Sequence, residues 1–223
     1  NWVQSDTDKY VRLTDSNTWH AIYMHELPAG RKSTYLSPQY KEKIDHKGQH
    51  EYRSRFTAGG DHLDYPGAVS ARTADMEVVK VLLNSALSTD SELMTMDIKD
   101  FYLGTPLEIS QYIKVDCKFI TPECMDKYDL HKFVHNGYIL HKVDKGMYGL
   151  KEAGRLAQDK LINHLEPAGY IQCPNISCLF IHKERDTKFS LIVDDFLVMY
   201  KREEDAKHLI DTLQNFYVIK VDK

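Results

Sequence analysis

Apolar residues in the second half of the chain fall into runs with clear periods. Met76, Val79, Leu82, Leu83, Ala86 and Leu87 recur every three to four positions, which predicts an amphipathic helix starting near Asp75. Residues 93–98 follow as a mostly apolar run of strand length. A second helix is predicted over residues 153–166, with Ala157, Leu161 and Leu165 as its stripe and Pro167 and Gly169 to end it. Residues 177–183 read as a strand. The string FSLIVDDFLVMY, residues 189–200, is an apolar run, two aspartates and another apolar run, hence two strands joined by an acidic turn. Ala206, Leu209, Ile210, Leu213 and Phe216 predict a helix over 203–216, and 217–221 read as a last strand.

Elsewhere the pattern is weaker. Residues 1–70 read as irregular and polar, with turn signals at Pro28-Ala29-Gly30, Lys47-Gly48, Gly59-Gly60 and Pro66-Gly67; residues 51–58 fit a strand of a small β-rich lobe. Residues 104–150 read as loop-rich, with Gly104-Thr105-Pro106, Asn136-Gly137, Gly146 and Gly149. With that insert set aside, the second half runs strand, helix, strand, strand, helix, strand, the split β-α-β order of ferredoxin-like sheets. In that topology the first strand lies beside the third, and the central hairpin turn sits where the first strand finishes. Asp97 near that finish and Asp194-Asp195 in the turn are therefore expected at one rim of one sheet.

Ionised side chains inside apolar runs are costly unless compensated, and like charges held together oppose one another's ionisation. A hard divalent cation relieves both, and Mg²⁺ suits a few carboxylates completed by phosphate oxygens and water. Two such ions would activate an attacking hydroxyl and stabilise a leaving oxygen. The plainer reading of the same residues is a polar hairpin turn and a capping aspartate.

Composition adds bounds. The 223 residues are 42% hydrophobic and long enough to bury a core. No stretch is apolar for the length of a membrane span, and the start has neither the basic nor the apolar region of a signal peptide. The chain does not begin with Met and reads as a piece of a longer polypeptide. The net charge of −4 argues against an overall basic nucleic-acid binder, yet Arg31, Lys32, Lys41, Lys43, Lys47, Arg53 and Arg55 fall close together, with His46 and His50 among them. That run is either a solvated face or a surface for phosphates. Four cysteines are too few for a disulfide scaffold, so reduced thiols and an intracellular setting are expected. Cys117 and Cys124 are too far apart in sequence for a zinc knuckle with His131 and His135.

Three strings in order, DIKDFYLG (97–104), KGMYGLKEAGRLAQDKL (145–161) and LIVDDFLVMY (191–200), resemble copia-type LTR retrotransposon reverse transcriptases. EYRSRFTAGGDHLDYPGA (51–68) resembles the basic fingers segment that precedes them. The resemblance implies an α+β fold, the fingers and palm of a right-hand polymerase. Fingers would be about 1–72 and 105–150, and a ferredoxin-like palm about 73–104 and 151–223, with thumb and ribonuclease H absent.

It further implies an RNA-directed DNA polymerase that adds deoxynucleotides to a primer 3′-hydroxyl. Asp97, Asp194 and Asp195 would bind two Mg²⁺ (or Mn²⁺) ions. Asp100 and Tyr102 would line the incoming dNTP, with Tyr102 crowding the sugar's 2′ position. Arg55 and Arg53 would reach the triphosphate, and Glu152 would face the nucleotide sugar. RNA/DNA template-primer and dNTPs are the implied partners, without a membrane, in the cytoplasm, in virus-like particles or in the nucleus.

Ile192 stands where the family motif has Tyr, Glu152 where related enzymes have Gln, and the chain ends at Lys223 before the primer grip and thumb. The alternative is an inactive retroelement-derived nucleic-acid-binding or interaction module. A nucleotide cyclase is a remoter one, since the paired glycines of that class are missing at IVDDF.

Overall fold

The computed structural model describes residues 1–44, 48–63 and 65–223. His46 and Lys47 of the basic run, and Lys47 of the expected turn, lie outside the described residues. In chain order the main elements are α1 (Trp2–Asp15), β1 (Trp19–Ile22), β2 (Thr34–Ile44), β3 (His50–Ala58), α2 (Met76–Ser88), β4 (Glu92–Ile98), β5 (Pro106–Asp116) and α3 (Pro122–Lys127). They continue with β6 (Tyr138–Lys145), α4 (Ala153–Leu165), β7 (Tyr170–Gln172), β8 (Leu179–His182), β9 (Thr187–Ile192), β10 (Asp195–Tyr200), α5 (Glu203–Gln214) and β11 (Ile219–Asp222). They form two compact units, one of Asn1–Val69 with Tyr102–Leu156, the other of Ser70–Phe101 with Ala157–Lys223.

The first unit is built on a sheet ordered β1-β6-β5-β2-β3, in which only β2 and β5 run parallel. Its core gathers Tyr10 and Leu13 of α1 with Trp19, Phe56, Ile113, Val143 and Met147. Here the structure corrects the expectation of an irregular N-terminus. Helix α1 is capped by Asn1, whose side chain accepts from the Gln4 N–H, and it buries Thr7, Tyr10 and Leu13. Two of those three are polar by composition, but their hydroxyls are satisfied by Thr121 (2.8 Å) and His141 (2.7 Å). A binary apolar/polar pattern counts such residues as solvent-facing and misses the helix. The same reason hid β5 and β6, which bury Gln111 and His141 and carry a register shift between Pro106 and Gln111.

The second unit is an antiparallel sheet ordered β11-β4-β10-β9-β8-β7. Met94, Met96, Ile98, Phe196 and Val198 are buried at alternate strand positions, as period-two packing requires. Phe180 stacks on Phe189 at 4.8 Å between ring centres, and Phe196 packs tilted against Phe189 at 5.2 Å. Helix α2, capped by Asp75 on the Val78 N–H, places Leu82 and Ala86 against Met199, with Leu93, Leu179 and Leu197 around them. Asp205 of α5 is fully buried yet charged, because Arg202 and Arg185 both donate to it; the Arg202 hydrogen bond leads in holding its pKa down.

Candidate active site

Asp97 is the penultimate residue of β4 and Asp195 the first of β10, and the two are direct partners across the ladder. The Ile98 N–H donates to the Asp194 carbonyl at 3.0 Å, so Ile98 and Asp194 form a hydrogen-bonded rung. The next rung, Asp97 with Asp195, is therefore of the non-hydrogen-bonded kind, in which opposed Cα atoms approach to about 4.5 Å and side chains lie closest. Both point to the sheet face that carries Leu93, Leu197 and Met199 under α2, two rungs beyond the Thr95–Leu197 pair. Burial first, and then the Asp97 charge, push the Asp195 carboxyl above its usual pKa. On the other side of Asp97, Lys220 of β11 is its register partner. The Lys220 ammonium is ion-paired with Asp222 at 2.8 Å; that bond, and more weakly the Asp97 charge, raise its pKa.

Ile192 pairs with Asp195, leaving a two-residue turn of Val193 and Asp194. Val193 has φ +62°, in a tight hairpin position that Gly normally takes, and a β-branched side chain there is strained. Among the described residues no set of three or more His, Cys, Asp or Glu side chains is drawn together as a metal cage. The sheet brings Asp97 and Asp195 face to face, and the turn carries Asp194 next to Asp195 in sequence. Asp100 follows in the same unit, in a turn with φ +58°.

The remaining candidates belong to the first unit. Arg55 of β3 is exposed, and its guanidinium carbon lies 4.2 Å from the centre of the Tyr148 ring. Tyr102 meets the same ring edge-on, at 5.4 Å and 86°. Tyr148 thus joins two candidates that the sequence left unconnected. Its position follows from backbone contact: the Ala58 N–H donates to the Tyr148 carbonyl at 2.7 Å. Gly149, with φ +90°, passes so close that an added Cβ would lie 2.0 Å from the Ala58 oxygen.

Arg53 turns instead to Glu51, at 2.8 Å. Glu152 is only 2% exposed and accepts a hydrogen bond from Gln111 Nε2 at 2.9 Å, while Arg31 reaches Gln111 Oε1 at 3.4 Å. Tyr148, Gln111, Lys220 and Val193 went unremarked in the sequence. Only Tyr148 carried a signal, as the aromatic inside GMYGL.

The profile of the family described as "Reverse transcriptase (RNA-dependent DNA polymerase)" matches residues 16–220. Relatives include the Saccharomyces cerevisiae Transposon Ty1-BL Gag-Pol polyprotein, 25% identical over 174 residues, covering 76% of this chain and 9% of the relative. The Ty1-DR5 Gag-Pol polyprotein of the same yeast is 25% identical over 224 aligned positions, covering 99% of this chain and 12% of the relative. The chain thus spans about a tenth of the length of these relatives. Among solved structures, the foamy viral protease-reverse transcriptase in complex with double-stranded DNA aligns with TM-score 0.48 and 13% identity, covering 99% of this chain and 31% of that one. No helix among the described residues is long and apolar enough to cross a membrane. With most of its length matched by one family profile, the chain belongs to the reverse transcriptase family, in its copia-type retrotransposon branch.

Proposed function

We propose that this chain is the fingers-and-palm portion of an RNA-directed DNA polymerase that joins deoxynucleotides to a primer 3′-hydroxyl. The observation that carries the reading is the Asp97–Asp195 rung with Asp194 in the adjoining turn. In this reading the second unit is the palm, and its strand order β11-β4-β10-β9 supports the ferredoxin-like assignment. The first unit is the fingers.

The donor set fits Mg²⁺. Two carboxylates crowd one face, and the charge of one is opposed by burial and by the other, a penalty a divalent cation removes. Bound there, two such ions would activate the primer hydroxyl and stabilise the leaving pyrophosphate oxygen. The protein's own part is to hold Asp97 and Asp195 on adjacent rigid strands and to keep Asp194 in a two-residue turn. Arg55, steadied on the Tyr148 face, takes the triphosphate as a guanidinium fork. Tyr102, braced at the edge of the same ring, shapes the sugar pocket toward deoxynucleotides, with Asp100 beside the nucleotide.

Template-primer and dNTPs are the partners in this reading. A second reading, a nucleic-acid-binding module without turnover, draws on Glu152, whose carboxylate is engaged by Gln111 rather than turned to a sugar.

Primer extension on an RNA template with Mg²⁺ separates the two. The polymerase reading expects incorporation that Asp194→Asn abolishes, by at least about a hundredfold, as expected when an electrostatic stabiliser is lost. Template-primer binding without any extension, even with the polypeptide's C-terminal continuation supplied, would overturn it in favour of the module.

A further inference from the structure

Lys9 has no role in the account above, yet it stands among cations. Helix α1 is fixed on β3 by the Ser54 N–H, which donates to Ser5 Oγ at 2.8 Å, and on β2 and β3 by Trp2, edge-on to the Tyr40 and Tyr52 rings. Ser5, Lys9 and Arg12 follow at helical spacing on one side of α1. From there the Lys9 ammonium lies 5.7 Å from the centre of Tyr148, the ring that also carries Arg55 and meets Tyr102. Among the described residues neither Lys9 nor Arg55 forms an ion pair, although ion pairs are common elsewhere on the chain.

Two cations on one aromatic ring with a third close by repel one another, and at half-buried Lys9 part of the water that would screen them is gone. The strain is visible on Lys9, whose pKa falls to about 8, by burial first and then by the charges of Arg12 and Arg55. An anion is the missing partner.

We infer that Lys9 is a phosphate-binding residue that acts with Arg55, in the field of Arg12, to grip the triphosphate of the incoming nucleotide. The identification of the ligand as that nucleotide rests on the polymerase reading. Two cations at one ring, in the field of a third, suit a compact polyphosphate better than a strand, whose charges are spread along its length. Tyr102, the candidate sugar contact, shares the ring.

The test is titration calorimetry of the folded chain with inorganic tripolyphosphate and with dTTP. Thymidine serves as the phosphate-free control and an unpaired oligothymidylate as the strand control. We expect Lys9→Glu to weaken tripolyphosphate and dTTP by about tenfold or more, as for loss of a charged hydrogen-bond partner, and Lys9→Arg to hold within about threefold. A merely structural lysine would not give the second signature.

At pH 8, binding to the wild type takes up part of a proton, read as buffer-dependent heat, because the anion restores the charge of Lys9. Lys9→Arg binds without that uptake. The charged groups that act on Lys9 are Arg12 on its own helix and Arg55 on β3, and the Tyr148 ring lies beside it.

Unchanged tripolyphosphate affinity in a Lys9→Glu protein that melts normally would overturn the inference, as would no binding by the wild type or a loss confined to the oligothymidylate. If Lys9→Glu does not fold, proton uptake that persists in Lys9→Arg overturns it alone. Lys9-dependent tripolyphosphate binding by a chain that never extends a primer, even with the C-terminal continuation supplied, would keep Lys9 as a phosphate-binding residue and end the polymerase reading, and with it the naming of the nucleotide. Extension unaltered by Lys9→Glu would do the reverse.

Discussion

His141 is fully buried in the core of the first unit, between the Tyr10 hydroxyl at 2.7 Å from Nε2 and the Ile139 carbonyl at 3.3 Å from Nδ1. Nδ1 must donate to the carbonyl, and because burial keeps the ring neutral, Nε2 accepts from the Tyr10 hydroxyl. Burial pushes its pKa down to about 3, so the folded protein does not take the proton that the unfolded chain accepts near 6.5. The unfolded state therefore binds more protons between those values, and the stability His141 contributes is present above about pH 6.5 and lost as pH falls toward 3. Denaturation at a series of pH values should show this group removing roughly 1.4 kcal/mol per pH unit below 6. In His141→Gln that slope should be shallower by about one proton. An equal slope in the two proteins would mean that the imidazole is charged in the fold. The burial of His141 was not legible in the sequence, because a lone histidine in a strand gives no sign of which face it occupies.

The helices that were legible, α2, α4 and α5, show their period in Leu, Ile, Ala and Val. The hairpin of β9 and β10 was legible because its apolar runs bracket two aspartates. Helix α1 and strands β5 and β6 were not, since they bury Thr, Tyr, Gln and His whose polar atoms find partners. Glycine was read as punctuation, when at Gly149 it marks contact: the segment runs so close to β3 that no side chain fits. The same contact presents Tyr148 to Arg55. Gly149→Ala carries both a left-handed φ of +90° and a collision with the Ala58 carbonyl. Gly137→Ala carries only the left-handed φ of +81°, with open space around it. Urea denaturation should therefore separate them, at about 1 kcal/mol for Gly137→Ala and roughly 3 kcal/mol or more for Gly149→Ala. Equal midpoints would show that the loop can retreat from β3.

At the scale of the molecule, a net charge of −4 conceals two opposite local arrangements, one in each unit. The first holds Lys9, Arg12 and Arg55 without an acidic partner for Lys9 or Arg55; the second holds Asp97 against Asp195. Each is a cluster of like charges, destabilising alone and relieved by an ion of opposite sign. By linkage, a ligand slows the local openings that would destroy its own site. Hydrogen exchange should therefore resolve them. Millimolar Mg²⁺ is expected to slow amides of β4 and of the β9–β10 hairpin, where the carboxylates sit. Tripolyphosphate without metal is expected to slow amides of α1 and β3. Asp97→Asn should erase the Mg²⁺ effect and leave that of tripolyphosphate, because it removes one charge of the acidic pair and leaves Lys9, Arg12 and Arg55 as they are. Protection by Mg²⁺ that appears in α1 and β3 while β4 and β10 exchange as before would refute the division, since the metal would then be acting somewhere other than the aspartate rung.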